Sequence, residues 1–138
     1  FGWAQIGEIS GTVLLETTVT WAEGTRAFGF MIHTSGAELG KWCQLRIEPF
    51  HKRIVMERFN QIDGDQFYLD ERRIAFTENT AQLKLIVSGN IMQVYVNDTA
   101  LTTRCYAAEN GGIGLFVECG QTQWKDIKLL SGEEEGNV

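Results

Sequence analysis

The sequence predicts an all-β protein, a sandwich of two antiparallel sheets. Three observations carry the prediction. Apolar residues recur with a period of two along most of the chain, the short apolar runs are punctuated by turn signals, and no long window carries a helical period. Gly is frequent, at 15 residues, and Pro occurs once. Glycines scattered between short apolar runs fit tight turns.

The period-two pattern is clearest in three places. Val13, Leu15, Thr17 and Val19 alternate with Thr12, Leu14, Glu16 and Thr18. Leu83, Leu85 and Val87 alternate with Lys84, Ile86 and Ser88, and Val94 and Val96 with Gln93, Tyr95 and Asn97. Such alternation turns one face to a core and the other to solvent or a site. Strands are predicted over 12–21, 26–33, 42–48, 53–59, 66–70, 83–88, 91–96, 101–105, 112–117 and 122–130. Turn signals separate them, among them Glu23-Gly24, Ser35-Gly36, Asp63-Gly64, Ser88-Gly89-Asn90, Asn97-Asp98 and Asn110-Gly111-Gly112. Ser88-Gly89-Asn90 reads as a tight hairpin loop. A helical turn is allowed near Thr77–Gln82. Gly114, between two large apolar residues, predicts a bend or the close approach of another backbone.

The organisation is a single domain over residues 1–130, with an acidic, flexible tail over 131–138 where Glu133, Glu134 and Glu135 stand together. A chain of 138 residues can bury a core without staples. It opens at Phe1 without Met, which predicts processing or excision. The formal net charge of −6, with no basic run, argues against nucleic acid and against anionic membranes. No stretch is long and apolar enough to span a bilayer. The three cysteines, Cys43, Cys105 and Cys119, sit in strand-like runs and are expected to be reduced, packing as small hydrophobes. Zinc-type Cys and His spacings are missing.

No nucleophile elbow, P-loop or HExxH motif is present. A dinucleotide fingerprint would need a helix that the pattern does not supply. With 18 acidic residues some carboxylates fall within catalytic distance of one another by chance, so solvated surface carboxylates are the simpler reading.

The candidate site is a binding face. Sugar sites set planar Arg, Asp, Glu and Asn groups against vicinal hydroxyls over an apolar floor. In Trp42–Glu48, Cys43, Leu45 and Ile47 point to the core, so Trp42, Gln44, Arg46 and Glu48 share the opposite face. The next strand places Ile54, Met56 and Arg58 on one face and Val55, Glu57 and Phe59 on the other. A hairpin through Pro49–Lys52 would then let Arg58 approach Arg46 and Glu48. Glu71, within Glu71-Arg72-Arg73, and Arg104, in Thr103-Arg104-Cys105-Tyr106, are further candidates. His33, after Phe28-Gly29-Phe30-Met31-Ile32, is a candidate for the same sheet.

Several of these segments resemble one known family. Arg46-Ile47-Glu48-Pro49, the Asp70-Glu71-Arg72 region, Val94-Tyr95-Val96-Asn97-Asp98, Leu101-Thr102-Thr103-Arg104-Cys105-Tyr106 and Gly112-Ile113-Gly114-Leu115-Phe116-Val117-Glu118 carry the resemblance. Together they make the chain similar to the C-terminal β-sandwich of family 32 glycoside hydrolases, the invertase, levanase and fructanase group, over roughly Leu14 to Leu130. The resemblance implies a concanavalin-like jelly roll packed beside an N-terminal catalytic propeller. The propeller's Asn-Asp-Pro-Asn-Gly and Arg-Asp-Pro signatures are absent here. It also implies kinship with a fructan-binding module that grips terminal fructose through Arg and acidic side chains, matched here by Glu16, Arg46, Glu48, Arg58, Glu71 and Arg104. Glu118-Cys119 echoes the acid/base region of fructan-cleaving glycosidases, but it comes too late in the chain and lacks partner motifs. Related sandwiches often carry one structural calcium near the chain ends, where Glu8 and Asp126 would supply oxygens if the terminal strands meet. No cofactor is expected otherwise.

Two roles follow. A fructan- or fructose-end-binding module needs Arg46, Glu48, Arg58 and Arg104 to converge over an apolar floor. A structural accessory domain needs an exposed apolar patch where the propeller docks.

Overall fold

The computed structural model describes residues 2–8, 12–34, 41–60, 65–89, 91–104 and 111–132. Among them eleven strands form: β1 (Gly2–Glu8), β2 (Thr12–Trp21), β3 (Ala27–Thr34), β4 (Lys41–Glu48), β5 (Arg53–Asn60), β6 (Asp65–Arg73), β7 (Thr80–Ser88), β8 (Ile91–Val96), β9 (Thr99–Arg104), β10 (Gly111–Glu118) and β11 (Thr122–Gly132). They make two sheets, of order β1-β10-β3-β4-β5-β6 and β11-β2-β7-β8-β9, antiparallel at every pairing. The predicted all-β sandwich is therefore the observed one. No helix among the described residues is long and apolar enough to cross a membrane.

One core lies between the sheets. Val13, Leu15 and Val19 of β2 and Leu83, Leu85 and Val87 of β7 face Phe28, Phe30 and Ile32 of β3, Cys43, Leu45 and Ile47 of β4, and Ile54 and Met56 of β5. These side chains are buried to within a few per cent, and each large one stabilises the fold by about 1.5–3 kcal/mol. The strict alternation of β2 and β7, seen in their burial, is the pattern read from the sequence.

The turns behave as their residues require. Gly89, with φ 61°, lies in the β7–β8 hairpin, where Ser88 pairs with Ile91. Asn97, with φ 52°, turns β8 into β9, a left-handed conformation that Asn tolerates better than most residues. The helical turn allowed near Thr77–Gln82 does not form. Residues 77–79 bend, and β7 begins at Thr80. There Thr80 Oγ1 donates to the Val19 carbonyl at 3.1 Å.

Two features differ from the sequence reading. The first strand, β1, was not predicted, because Gly2 and Gly7 dilute its apolar signal and a bulge between Gln5 and Gly7 breaks its alternation. In β11 the register slips between Lys125 and Lys128. Trp124 pairs with Val19 and Leu129 with Leu15. The β2 partners are four residues apart, the β11 partners five. The extra residue lets Trp124 and Leu129 both pack on the core, which unbroken alternation forbids. Asp126, with φ 52°, takes up the bulge, and the Thr17 hydroxyl donates to the Lys125 carbonyl at 2.8 Å. β11 also runs to Gly132, two residues past the expected end of the domain at 130.

Cysteine chemistry corrects the expectation of three reduced thiols. Cys43 is disulfide-bonded and fully buried, whereas Cys119 is a free, exposed thiol.

Candidate functional site

The site is built on the outward face of the six-stranded sheet. Cys43, Leu45 and Ile47 belong to the core, so alternation turns Trp42, Gln44, Arg46 and Glu48 away from it. Register supplies the neighbours. Arg46 pairs with Gly29 on β3 and with Val55 on β5, and Gly29 pairs in turn with Phe116 on β10. Gly29 is required there: a Cβ would meet the Leu45 carbonyl oxygen at 1.8 Å and the Phe116 ring at 3.4 Å. Met31, Val55 and Phe116 are buried but stand apart from the main core, giving this face an apolar floor.

Across that floor runs a chain of alternating charges. The Arg46 guanidinium donates to both Glu118 oxygens, at 3.0 and 2.8 Å, and its Nε donates to Glu48 Oε2 at 2.6 Å. Arg53 Nε donates to the other Glu48 oxygen. Arg26 stands 3.2 Å from Glu118, and Arg53 stands 3.7 Å from Glu71. The order is Arg26–Glu118–Arg46–Glu48–Arg53–Glu71, three cations and three anions. It is deepest at Glu48, whose side chain is 7 % exposed, and Arg46, at 15 %, and open at both ends. Beside it, Trp42 Nε1 donates to Gln44 Oε1 at 3.2 Å, and Gln44 Nε2 donates to Glu57 Oε1 at 3.3 Å.

The electrostatics follow from these contacts. The Glu118 bonds hold the Arg46 proton more tightly than usual, outweighing burial. Arg46 in turn holds the Glu118 carboxyl below the ordinary carboxylate range. Burial pushes Glu48 up, but the bonds from Arg53 and Arg46 together outweigh it and the net shift is downward. Both carboxylates therefore stay ionised at neutral pH. Glu118, held ionised by Arg46, has no proton to donate there, which argues against the general-acid half of the role that Glu118-Cys119 echoes.

The structure sorts the residues singled out from the sequence. Trp42, Arg46, Glu48 and Glu71 come together on this face. Arg58 does not: it pairs with Cys43 and Phe67 and shares the parity of Ile54 and Met56, on the side of the sheet away from Arg46. Glu16 lies on β2 of the other sheet, registered between Lys84 and Lys128, where opposite charges suit a cross-strand arrangement. Arg104 ends β9, the edge strand of that second sheet, opposite Ile91. The expected convergence of Arg58 and Arg104 on Arg46 is thus not observed, because strand parity excludes the first and sheet membership the second. His33 pairs through its backbone with Trp42 and Gly112, and its side chain lies outside the described residues.

Arg26, Arg53, Glu57 and Glu118 were missed as site residues. Arg53 was legible, since a hairpin through Pro49–Lys52 sets it opposite Glu48. Arg26 and Glu118 were not, because they join the face only through the order β10-β3-β4.

For calcium, the terminal strands β1 and β11 form edges of different sheets and do not pair with each other. The Glu8 side chain lies outside the described residues, and Asp126 is taken up in the β11 bulge. Among the described residues no group of three or more His, Cys, Asp or Glu could hold a metal ion.

Comparison with solved structures places the architecture. The carbohydrate-binding module CBM66 from Bacillus subtilis superposes with a TM-score of 0.73 at 16 % identity, over 94 % of this chain and 91 % of that one. The chain has a galectin-like jelly-roll fold. Sheep galectin-11, in complex with glycerol, matches with a TM-score of 0.65 at 11 % identity, over 94 % of this chain and 96 % of the galectin. The ancestral congerin Con-anc gives 0.67 at 13 % identity, over 94 % and 100 %. No family model matches the sequence, and no curated protein matches it. At these identities the likeness is one of fold.

Proposed function

We propose that this chain is a non-catalytic carbohydrate-binding domain that uses the Trp42–Gln44–Arg46–Glu48 face of the six-stranded sheet. The observation that carries the reading is the paired Arg46, with its guanidinium fixed by two carboxylates above an apolar floor. A clamped guanidinium beside ionised carboxylates offers donors and acceptors at fixed spacing, which is what vicinal hydroxyls need. Pre-organisation lowers the ordering cost of binding. The fold shared with a carbohydrate-binding module supports the same reading.

The ligand class we infer is a fructan or other fructosyl-ended oligosaccharide, met by Arg46, Glu48 and Glu71 without the Arg58 and Arg104 expected beside them, and the parent protein a β-fructoside-cleaving glycoside hydrolase with an N-terminal propeller. The family resemblance of the Arg46-Ile47-Glu48-Pro49 and Val94–Asp98 segments supports this. The disulfide at Cys43 fits an oxidising compartment, where polysaccharide is met outside the cell.

A second reading, a structural accessory domain, draws on the outer face of the other sheet. There Leu130 and Ile86 both pair with Leu14, an apolar row whose Leu130 is 62 % exposed. Such a row suits a domain–domain contact.

Calorimetric titration with fructose, sucrose and levan- or inulin-type oligosaccharides tests the first reading. A one-site isotherm with Kd of about 10 μM to 1 mM, roughly −7 to −4 kcal/mol, is expected, weakened in folded Arg46→Lys. A flat trace with millimolar sugar and folded protein would leave the accessory role.

A further inference from the structure

A second concavity lies at one end of the sandwich, between the β2–β3, β4–β5 and β6–β7 connections. Its volume is about 480 Å³, within the roughly 300–1,000 Å³ of small-molecule sites. The apolar part is aromatic. Trp21, 5 % exposed, meets Phe76 edge-on with ring centroids 5.0 Å apart. At the rim Phe50 is 85 % exposed, the most exposed large hydrophobic residue among those described.

The polar part is mixed. Glu23 accepts a hydrogen bond from Asn79 Nδ2 at 3.0 Å, and Lys52 and Arg26 add donors to the same lining. A carboxylate and an amide carbonyl beside two cations suit hydroxyls, which both donate and accept.

The walls are held in place before any ligand arrives. Thr25, 4 % exposed, donates to the Ala22 carbonyl at 2.7 Å and accepts from the Gln121 amide at 3.2 Å. The Arg26 amide donates to the Cys119 carbonyl at 3.1 Å. Opposite, the Lys52 amide donates to the Pro49 carbonyl at 3.2 Å, and the Ile74 amide donates to Lys52 at 3.0 Å. Gly120 is needed for this closure, since a Cβ there would lie 2.4 Å from the Thr25 hydroxyl.

We propose that this end pocket is a second saccharide site, separate from the charged sheet face, that takes a neutral sugar residue against Phe50. An exposed ring at the mouth of a polar pocket provides the flat apolar platform that a sugar's C–H face covers. Arg26 belongs to both places, lining the pocket and ending the charge chain at Glu118. The inference shares with the proposed function the carbohydrate as ligand class and, of the residues, only Arg26 at the end of the charge chain.

The test is a nitrogen-15 amide titration of the whole chain with sucrose and with a levan-type oligosaccharide, with assignments followed at both places. Sugar-dependent shifts are expected at Glu23–Arg26, Phe50–Lys52 and the Trp21 indole. Phe50→Ala should weaken them at least tenfold while shifts at Trp42 and Gln44 keep their midpoint. Phe50 is largely solvent-exposed, so the variant should keep the native spectrum. Shifts confined to the Trp42 and Gln44 face overturn the end pocket and leave the sheet-face reading standing. Shifts confined to the end pocket support it and sink the sheet face. No shift with either sugar overturns both, and an unchanged midpoint in Phe50→Ala overturns the pocket alone.

Discussion

Arg46 on β4 grips Glu118 on β10 across the whole width of β3. The reach is two strand spacings, about 9–10 Å. It is open because Gly29 and Ala27, the β3 residues registered with Phe116 and Glu118, carry almost no side chain. Removing the cation should leave two anions with one partner each, Glu118 with Arg26 and Glu48 with Arg53. Arg46→Ala should cost about 3–5 kcal/mol, the range for breaking a buried ion pair, and Glu118→Gln less, about 1.5–3 kcal/mol. Denaturant unfolding of the three proteins reads both values.

The same pair predicts an acid limit. Glu118 and Glu48 titrate below the ordinary value of 4.5 in the folded chain. The unfolded chain therefore binds protons first, and stability falls as pH drops from about 4.5 through the folded values. Above 4.5 their contribution is fully present. Thermal melts from pH 7 to pH 2.5 should show this loss, with a shallower slope for Glu118→Gln. Equal slopes would mean that Glu118 is not linked to folding.

Gly29→Ala should be among the most damaging small substitutions in the chain. Its Cβ would meet backbone, the Leu45 carbonyl at 1.8 Å, which no rotamer change relieves. Loss of soluble, folded protein or a destabilisation beyond about 4 kcal/mol is expected. A native melting temperature would refute the close approach of β3 and β4.

The β11 bulge gives a paired test. Asp126→Gly should be close to neutral, since the φ of 52° suits Gly, whose lost entropy of about 0.5–1 kcal/mol offsets the relieved strain. Deleting Asp126 should swing either Trp124 or Leu129 off the core, at a cost of about 3–5 kcal/mol. Melting temperatures of both variants decide it.

For the cysteines, maleimide should modify Cys119 in the native, non-reduced protein and leave Cys43 untouched. Cys43→Ala should lower stability by about 2–5 kcal/mol. Mass mapping of the labelled peptides, before and after reduction, reads the first outcome.

The strands of the core were legible because burial on one face of a sheet writes a period of two into the sequence. Val13–Val19, Leu83–Val87 and Cys43–Ile47 show it, and each is buried as the alternation requires. The same alternation exposed Trp42, Gln44, Arg46 and Glu48 as one face. It misled at Arg58, where parity with Ile54 and Met56 already placed the side chain away from Arg46. It failed in β11, where one residue taken up by a bulge shifts the phase between Trp124 and Leu129.

By itself, then, the sequence determined the fold class, most strand limits and the composition of one polar face, because these depend on local periodicity and turn chemistry. Tertiary structure alone decided which strands are neighbours. The order β10-β3-β4 brings Glu118 to Arg46 from 72 residues away, and the division into two sheets sends Glu16 and Arg104 elsewhere. The end pocket joins three connections distant in sequence. Such meetings are set by how the two sheets pack and order their strands, and no pattern within one strand encodes them.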